Sequence, residues 1–112
     1  MKMIEAIIKP FKLEEVKATL NQIGIRGITI TEIKGFGRQK GHTGSYRGTE
    51  YSTAFVAKIQ LQTAVTDSLV PAVVDGILRA ARTGEIGDGK IFIHDLESVT
   101  RIRTGEHGDS AI

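Results

Sequence analysis

From Phe55 to Val65 the side chains alternate: Phe55, Ala57, Ile59, Leu61, Thr63 and Val65 take one parity, while Lys58, Gln60 and Gln62 take the other. Successive side chains of a strand point to opposite faces, so this run specifies a strand with one face covered and the other half-exposed. Two segments have the spacing of amphipathic helices. Leu13, Val16, Leu20 and Ile23 recur at intervals of three and four residues, predicting a helix from Lys12 to Ile23 with Gly24 as its cap. Val70, Val73, Val74, Ile77, Leu78 and Ala81 predict a second helix to about Arg82. Thr66, Asp67 and Ser68 offer capping groups before it, and Pro71 suits its first turn. Met3–Lys9 reads as a strand buried on both faces and ended by Pro10. Ile28–Ile33, Lys90–Asp95 and a short Val99–Arg103 segment complete the strands.

The order is β-α-β-loop-β-α-β, the split βαβ pattern of an α+β, ferredoxin-like fold, with a long loop between strands 2 and 3. A chain of 112 residues fits a single domain over residues 1–112. Aromatic residues make up 5%, so the core must be aliphatic. Cysteine is absent, which excludes a disulfide scaffold, a thiolate metal site and a cysteine nucleophile. Fifteen Lys and Arg against thirteen Asp and Glu give a net charge of +2, far from the basic excess of a nucleic-acid binder. No apolar run is long enough to span a bilayer, and Glu5 interrupts the opening residues where a signal peptide needs apolar ones. The expectation is a cytoplasmic protein.

Ten of the 13 glycines fall in three clusters: Gly35 to Gly48, Gly84 to Gly89, and Gly105 with Gly108. Residues of about 37–54 form a loop too long for a hairpin and carry Arg38, Lys40, Tyr46, Arg47 and Tyr51. Tyrosine and arginine are favoured interface anchors, so Tyr46, Arg47 and Tyr51 are candidate partner contacts. In the second cluster Gly84, Gly89 and Lys90 match a Walker loop up to its last position, where Ile91 replaces Ser or Thr. This loop also runs from helix to strand, the reverse of a Walker NTPase. Consecutive glycine amides nevertheless form anion-binding concavities, and Lys90 adds a charge beside residues 83–90. Arg101 and Arg103 would share one side of the last strand, converging with Lys90 on a polyphosphate site. Lys34-Gly35-Phe36-Gly37 begins like an RNA-binding motif, but Arg38 and Gln39 break it, so no nucleic acid partner is expected. His42, His94 and His107 have no ligand spacing, and no catalytic constellation is visible.

Five segments together resemble the PII nitrogen-regulatory signalling proteins: Ile4–Leu13, Lys34–Gly41, Tyr46–Tyr51, Thr83–Phe92 and Arg101–Glu106. The resemblance implies a homotrimer that binds ATP or ADP between subunits and is an enzyme regulator rather than an enzyme. Gly87, Asp88, Gly89, Lys90, Arg101 and Arg103 would hold the phosphates, with residues 101–109 as a C-terminal loop. Gly35, Gly37, Arg38 and Gln39 would line the cleft, and the base would sit near Ile7, Thr29, Gln62 and Ala64. The same resemblance places 2-oxoglutarate beside Mg²⁺-ATP, with Gln39 at the metal, Lys58 on a carboxylate, and Lys40 and Gly41 nearby.

The implied partners are ammonium transporters and the enzymes controlling glutamine synthetase, met through the long loop. Tyr51 matches a tyrosine modified by a uridylyltransferase. A ligand biases that loop only through differential affinity for its conformations. Thr49, Ala54 and Gln62 depart from the usual family pattern. The alternatives are a PII-like sensor of another small molecule, or a weak ATPase.

Overall fold

The computed structural model describes residues 1–36 and 55–112. Its elements are β1 (Lys2–Ile8), a 3-10 turn (Pro10–Lys12), α1 (Leu13–Ile23), β2 (Thr29–Phe36), β3 (Phe55–Val65), a 3-10 turn (Asp67–Leu69), α2 (Val70–Ala81), β4 (Lys90–Asp95) and a 3-10 turn (Gly108–Ala111). The four strands form one antiparallel sheet in the order β2-β3-β1-β4. This is the expected ferredoxin-like arrangement.

The alternation of β3 does what its pattern dictates. Ile59, Leu61, Thr63 and Val65 are buried together with Ile4, Ala6 and Ile8 of β1. Val16 and Leu20 of α1 and Val73, Ile77, Ala80 and Ala81 of α2 close the core over that face. The helices cover only this face. β1 is therefore not buried on both sides as its composition suggests: Met3, Glu5 and Ile7 lie half-buried on the open face. Replacing the fully buried Leu61 by alanine is expected to cost about 2–5 kcal/mol. That is a large share of a typical domain's 5–15 kcal/mol, and urea denaturation measures it.

Helix α1 ends as its glycine requires. Gly24 takes φ +104°, its amide donates to the Asn21 carbonyl, and the Ile25 amide donates to that of Leu20. This pairing is a Schellman cap, and Ile25 folds back into the core. Two local expectations need correction. Thr66, Asp67 and Ser68 make no side-chain cap on α2, because a 3-10 turn there puts Leu69 at the N-cap. The Asp67 carboxylate accepts from Lys2 instead, at 3.0 Å.

Val99–Arg103 is also not a strand. Only Thr100 bridges, to His107, and the chain between them is a tight turn. The Arg101 amide donates to the Glu106 carbonyl, and the Gly105 amide donates to that of Arg101, both at 2.8 Å. Gly105 at φ +75° reverses the chain before a ladder can grow. The period-two argument that put Arg101 and Arg103 on one strand face therefore does not apply.

Candidate functional site

The register sorts the candidate residues. Thr29 pairs with Gln62 and Gln62 with Glu5, while Ile7 pairs with Gln60 and Lys90, and Ala64 with Met3. Directly opposed residues share a face, so Ile7, Thr29, Gln62, Ala64 and Lys90 all lie on the open side of the sheet. They spread along the sheet, with Ile7 and Gln62 as diagonal neighbours. Ile7 and Lys90 stand at the end of the sheet where β4 begins. Thr29 and Gln62 are level with Phe92, midway along β4, and Ala64 is level with His94 near its finish. Arg101 and Arg103 follow Val99, which lines a groove with Val65 and Thr66 beside the finish of β4. Five strand steps separate Lys90 from Asp95, about 17 Å. Lys90 is therefore rooted at the start of β4, and the segment carrying Arg101 and Arg103 is rooted at Val99 beside its finish. The candidates form two half-sites.

The first half-site is built around the loop from Thr83 to Lys90. Gly84, Gly87 and Gly89 all have positive φ, near +90 to +101°. Gly89 is pressed against β1 so closely that a Cβ there would lie 1.6 Å from the Ile7 carbonyl oxygen. The Asp88 carboxylate turns back onto its own loop, accepting from the Thr83 amide at 2.9 Å, the Gly84 amide at 2.8 Å and the Thr83 hydroxyl. The Lys9 ammonium lies 3.1 Å from it. A ligand would therefore meet the backbone at residue 88 rather than this carboxylate. Lys58 reaches across the open face and donates to the Gly87 carbonyl. Its stem fills the space that a side chain at Gly35 would need, 3.1 Å from the missing Cβ. Beyond its backbone pairing with Ile7, the Lys90 side chain makes no hydrogen bond or ion pair with another described residue.

Charge follows from this geometry. Partial burial, and then the neighbouring Lys9, hold the Lys58 ammonium below the ordinary lysine pKa. An anion placed beside it would reverse that cost. The Thr83 hydroxyl, with the Thr83 and Gly84 amides and Lys9 adding to it, holds the Asp88 carboxyl well below the usual carboxylate range. A depressed carboxylate contributes stability above its unfolded pKa near 4 and loses it only as pH falls through the lower folded value. The loop is thus expected to stay clamped from about pH 8 down to about pH 4 and to loosen in stronger acid. Protection of the Thr83 and Gly84 amides in hydrogen exchange, corrected for intrinsic rate, should be flat across the neutral range. It should fall in Asp88→Asn, whose side chain accepts through one oxygen only.

The second half-site is the Arg101–Glu106 turn. Arg101 pairs with the Glu106 carboxylate at 2.8 Å, and Thr104 donates to the same oxygen. Arg103 is exposed and pairs with no other described residue.

A family model described as "Nitrogen regulatory protein P-II" matches residues 1–106. The chain belongs to the P-II nitrogen regulatory protein family. It is 60% identical to the nitrogen regulatory protein P-II of Azospirillum brasilense and 58% identical to that of Klebsiella oxytoca. It is 57% identical to nitrogen regulatory protein P-II 1 of Escherichia coli strain K12. Each alignment spans 112 residues and covers all of both chains. As a P-II chain it has a regulatory role in nitrogen metabolism.

In this P-II chain Lys9 is the residue that pattern reading missed. In the sequence it is only the last residue of the expected Met3–Lys9 strand, yet its parity matches Ile7, and Pro10 follows it. Gly37, Arg38, Gln39, Lys40, Gly41, Tyr46, Arg47 and Tyr51, with Thr49 and Ala54, lie outside the described residues. Among the described residues no His, Asp or Glu cluster could hold a metal ion, and no helix is long and apolar enough to cross a membrane.

Proposed function

We propose that this P-II chain is a non-catalytic sensor that binds ATP or ADP between copies of itself, in a homotrimer. The observation that carries this reading is the spread of the candidate residues along β4, one group level with Lys90 at its start and the other from the level of Phe92 onward. One half supplies glycine amides, Lys90 and Ile7. The other supplies Arg101, Arg103, Thr29, Gln62 and Ala64. A closed ring of copies would bring the first half of one chain to the second half of the next, with every site built alike. Backbone amides and arginine forks then meet phosphate oxygens, which both match in charge and geometry.

Lys9 and Lys58 beside Gly87 add a second cationic corner. Their charge suits a dicarboxylate such as 2-oxoglutarate next to the phosphates. The described residues offer no carboxylate cluster for a divalent ion, so Mg²⁺ would be held by phosphate oxygens with Gln39. Magnesium commonly takes that arrangement. Bound there, it would neutralise phosphate charge and orient the effector. The effector in turn would bias the segment carrying Tyr46, Arg47 and Tyr51 toward or away from ammonium transporters and the enzymes controlling glutamine synthetase. A nucleotidyl group placed on Tyr51 by a uridylyltransferase would add negative charge at that contact.

Calorimetric titration of 2-oxoglutarate into the protein tests the sensor, with Mg²⁺-ATP, with ADP, and with no nucleotide. Binding in the Mg²⁺-ATP arm alone is the expected result. Binding of ATP with no response to 2-oxoglutarate would instead indicate a sensor of another small molecule.

A further inference from the structure

The Arg101–Glu106 turn has almost nothing to lean on. Ile102 at its tip is 99% exposed, and Arg103 is exposed beside it. Its local closure consists of two backbone hydrogen bonds, the Arg101–Glu106 pair, two hydrogen bonds through the Thr104 hydroxyl and the single Thr100–His107 bridge. A solvent-facing ion pair adds little to such a turn. The next contact toward the body of the protein is made by the residues that follow. The Gly108 amide donates to the Val99 carbonyl at 3.0 Å, joining the two stems of the turn. Gly108 then turns the chain at φ +80°, and the 3-10 turn Gly108–Ala111 carries it back over the sheet end.

There, Ala111 and Ile112 line one groove with Ile25, Val65, Leu69 and Val99. The other wall of that groove is set by the half-site itself. Thr63, the one buried polar side chain among the described residues, donates to the Gly27 carbonyl at 2.6 Å. That bond ties the chain entering Thr29 to the strand carrying Gln62 and Ala64.

We infer that Gly108–Ile112 is a positioning element that seats the Arg101–Arg103 turn beside Thr29, Gln62 and Ala64, making one rigid half-site from two separate segments. The inference rests on the assignment of both arginines to a phosphate site. Ordering a loop in advance removes an entropic cost from binding, so loosening this seat weakens the ligand without removing any ligand contact.

The test is a pair of substitutions, Ala111→Glu with Ile112→Asp, which put carboxylates against Ile25, Val65, Leu69 and Val99 and beside the existing Asp109. Deletion of Gly108–Ile112 serves as a second variant. Two readouts are needed. The first is hydrogen exchange of the Arg101 and Gly105 amides without nucleotide, expected to speed up about tenfold or more as the turn loosens. The second is ATP affinity, expected to fall about tenfold in the otherwise native chain and by less than about twofold when Arg101 and Arg103 are already alanine. Unchanged exchange would mean that the turn holds itself, and would overturn the inference whatever ATP does. An equal loss of affinity on both backgrounds would also overturn it, since the segment would then act elsewhere than through the arginines. If the unmodified chain bound no ATP while exchange still accelerated, the nucleotide reading would fail and the seating of the turn would stand.

Discussion

Alanine at both Arg101 and Arg103 is expected to weaken ATP binding by at least about 100-fold while leaving the thermal midpoint within about 2 °C of the original. The two halves of that expectation have separate causes. Each guanidinium would make charge-assisted hydrogen bonds to phosphate, worth about 1.5–3 kcal/mol apiece. In the folded chain Arg103 has no described partner, and Arg101 pairs with Glu106 in a half-exposed setting. Exposed pairs of that kind contribute about 0–1 kcal/mol. Calorimetry with ATP and a thermal melt together decide the matter. Unchanged ATP affinity would remove both arginines from the site.

Gly89→Ala should have the opposite signature, damaging stability and binding together. The new Cβ would fall 1.6 Å from the Ile7 carbonyl oxygen, and that atom belongs to a central strand. The substituted residue would also have to hold φ +101°, a conformation that side chains resist. The loop must therefore lift away from β1, taking Lys90 and its pairing with Ile7 along. A loss of about 2–4 kcal/mol in denaturation and no measurable ATP binding are expected. Gly84→Ala is the matched control. Its φ is +90°, but a Cβ there meets nothing within 4 Å, so the cost should be conformational only, about 1–2 kcal/mol. Equal effects at the two positions would contradict the close seating of Gly89 on β1.

Much of the fold was legible in the residues. The alternation of β3 and the three-four spacing of both helices are local patterns produced directly by burial on one face. The Gly24 cap and the crowding of glycine at residues 84–89 were equally plain. What could not be read depended on distant partners. Val99–Arg103 alternates like a strand, and nothing within those five residues reveals that Gly105 and Glu106 will close them into a turn. β1 is composed like a strand with two covered faces, yet its open face has no helix over it, which no property of Met3–Lys9 can foretell.

The candidate site shows the same division. The residue types were recognisable because glycine, lysine and arginine have few other reasons to gather as they do here. Their grouping was not. Convergence of Lys90 with Arg101 and Arg103 depends on where each segment is rooted along β4, and strand direction puts Lys90 at its start and Val99 beside its finish. Lys9 went unnoticed for a related reason, since its role depends on Asp88 and Lys58, 79 and 49 residues away in the sequence.

The central claim is that one phosphate site is assembled from two chains, and mixing defective chains tests it most directly. Lys90→Ala disables the loop half-site, and the Arg101→Ala, Arg103→Ala chain disables the turn half-site. Each alone should bind ATP poorly. Co-assembled from denaturant at equal amounts, they should regain tight binding at about a quarter of the sites, because random pairing joins an intact loop to an intact turn that often. Such recovery is the predicted result. If ATP binding in the mixture never exceeds that of the separate variants, while the unmodified chain recovers fully from the same treatment, the site is not shared between copies and the account is wrong.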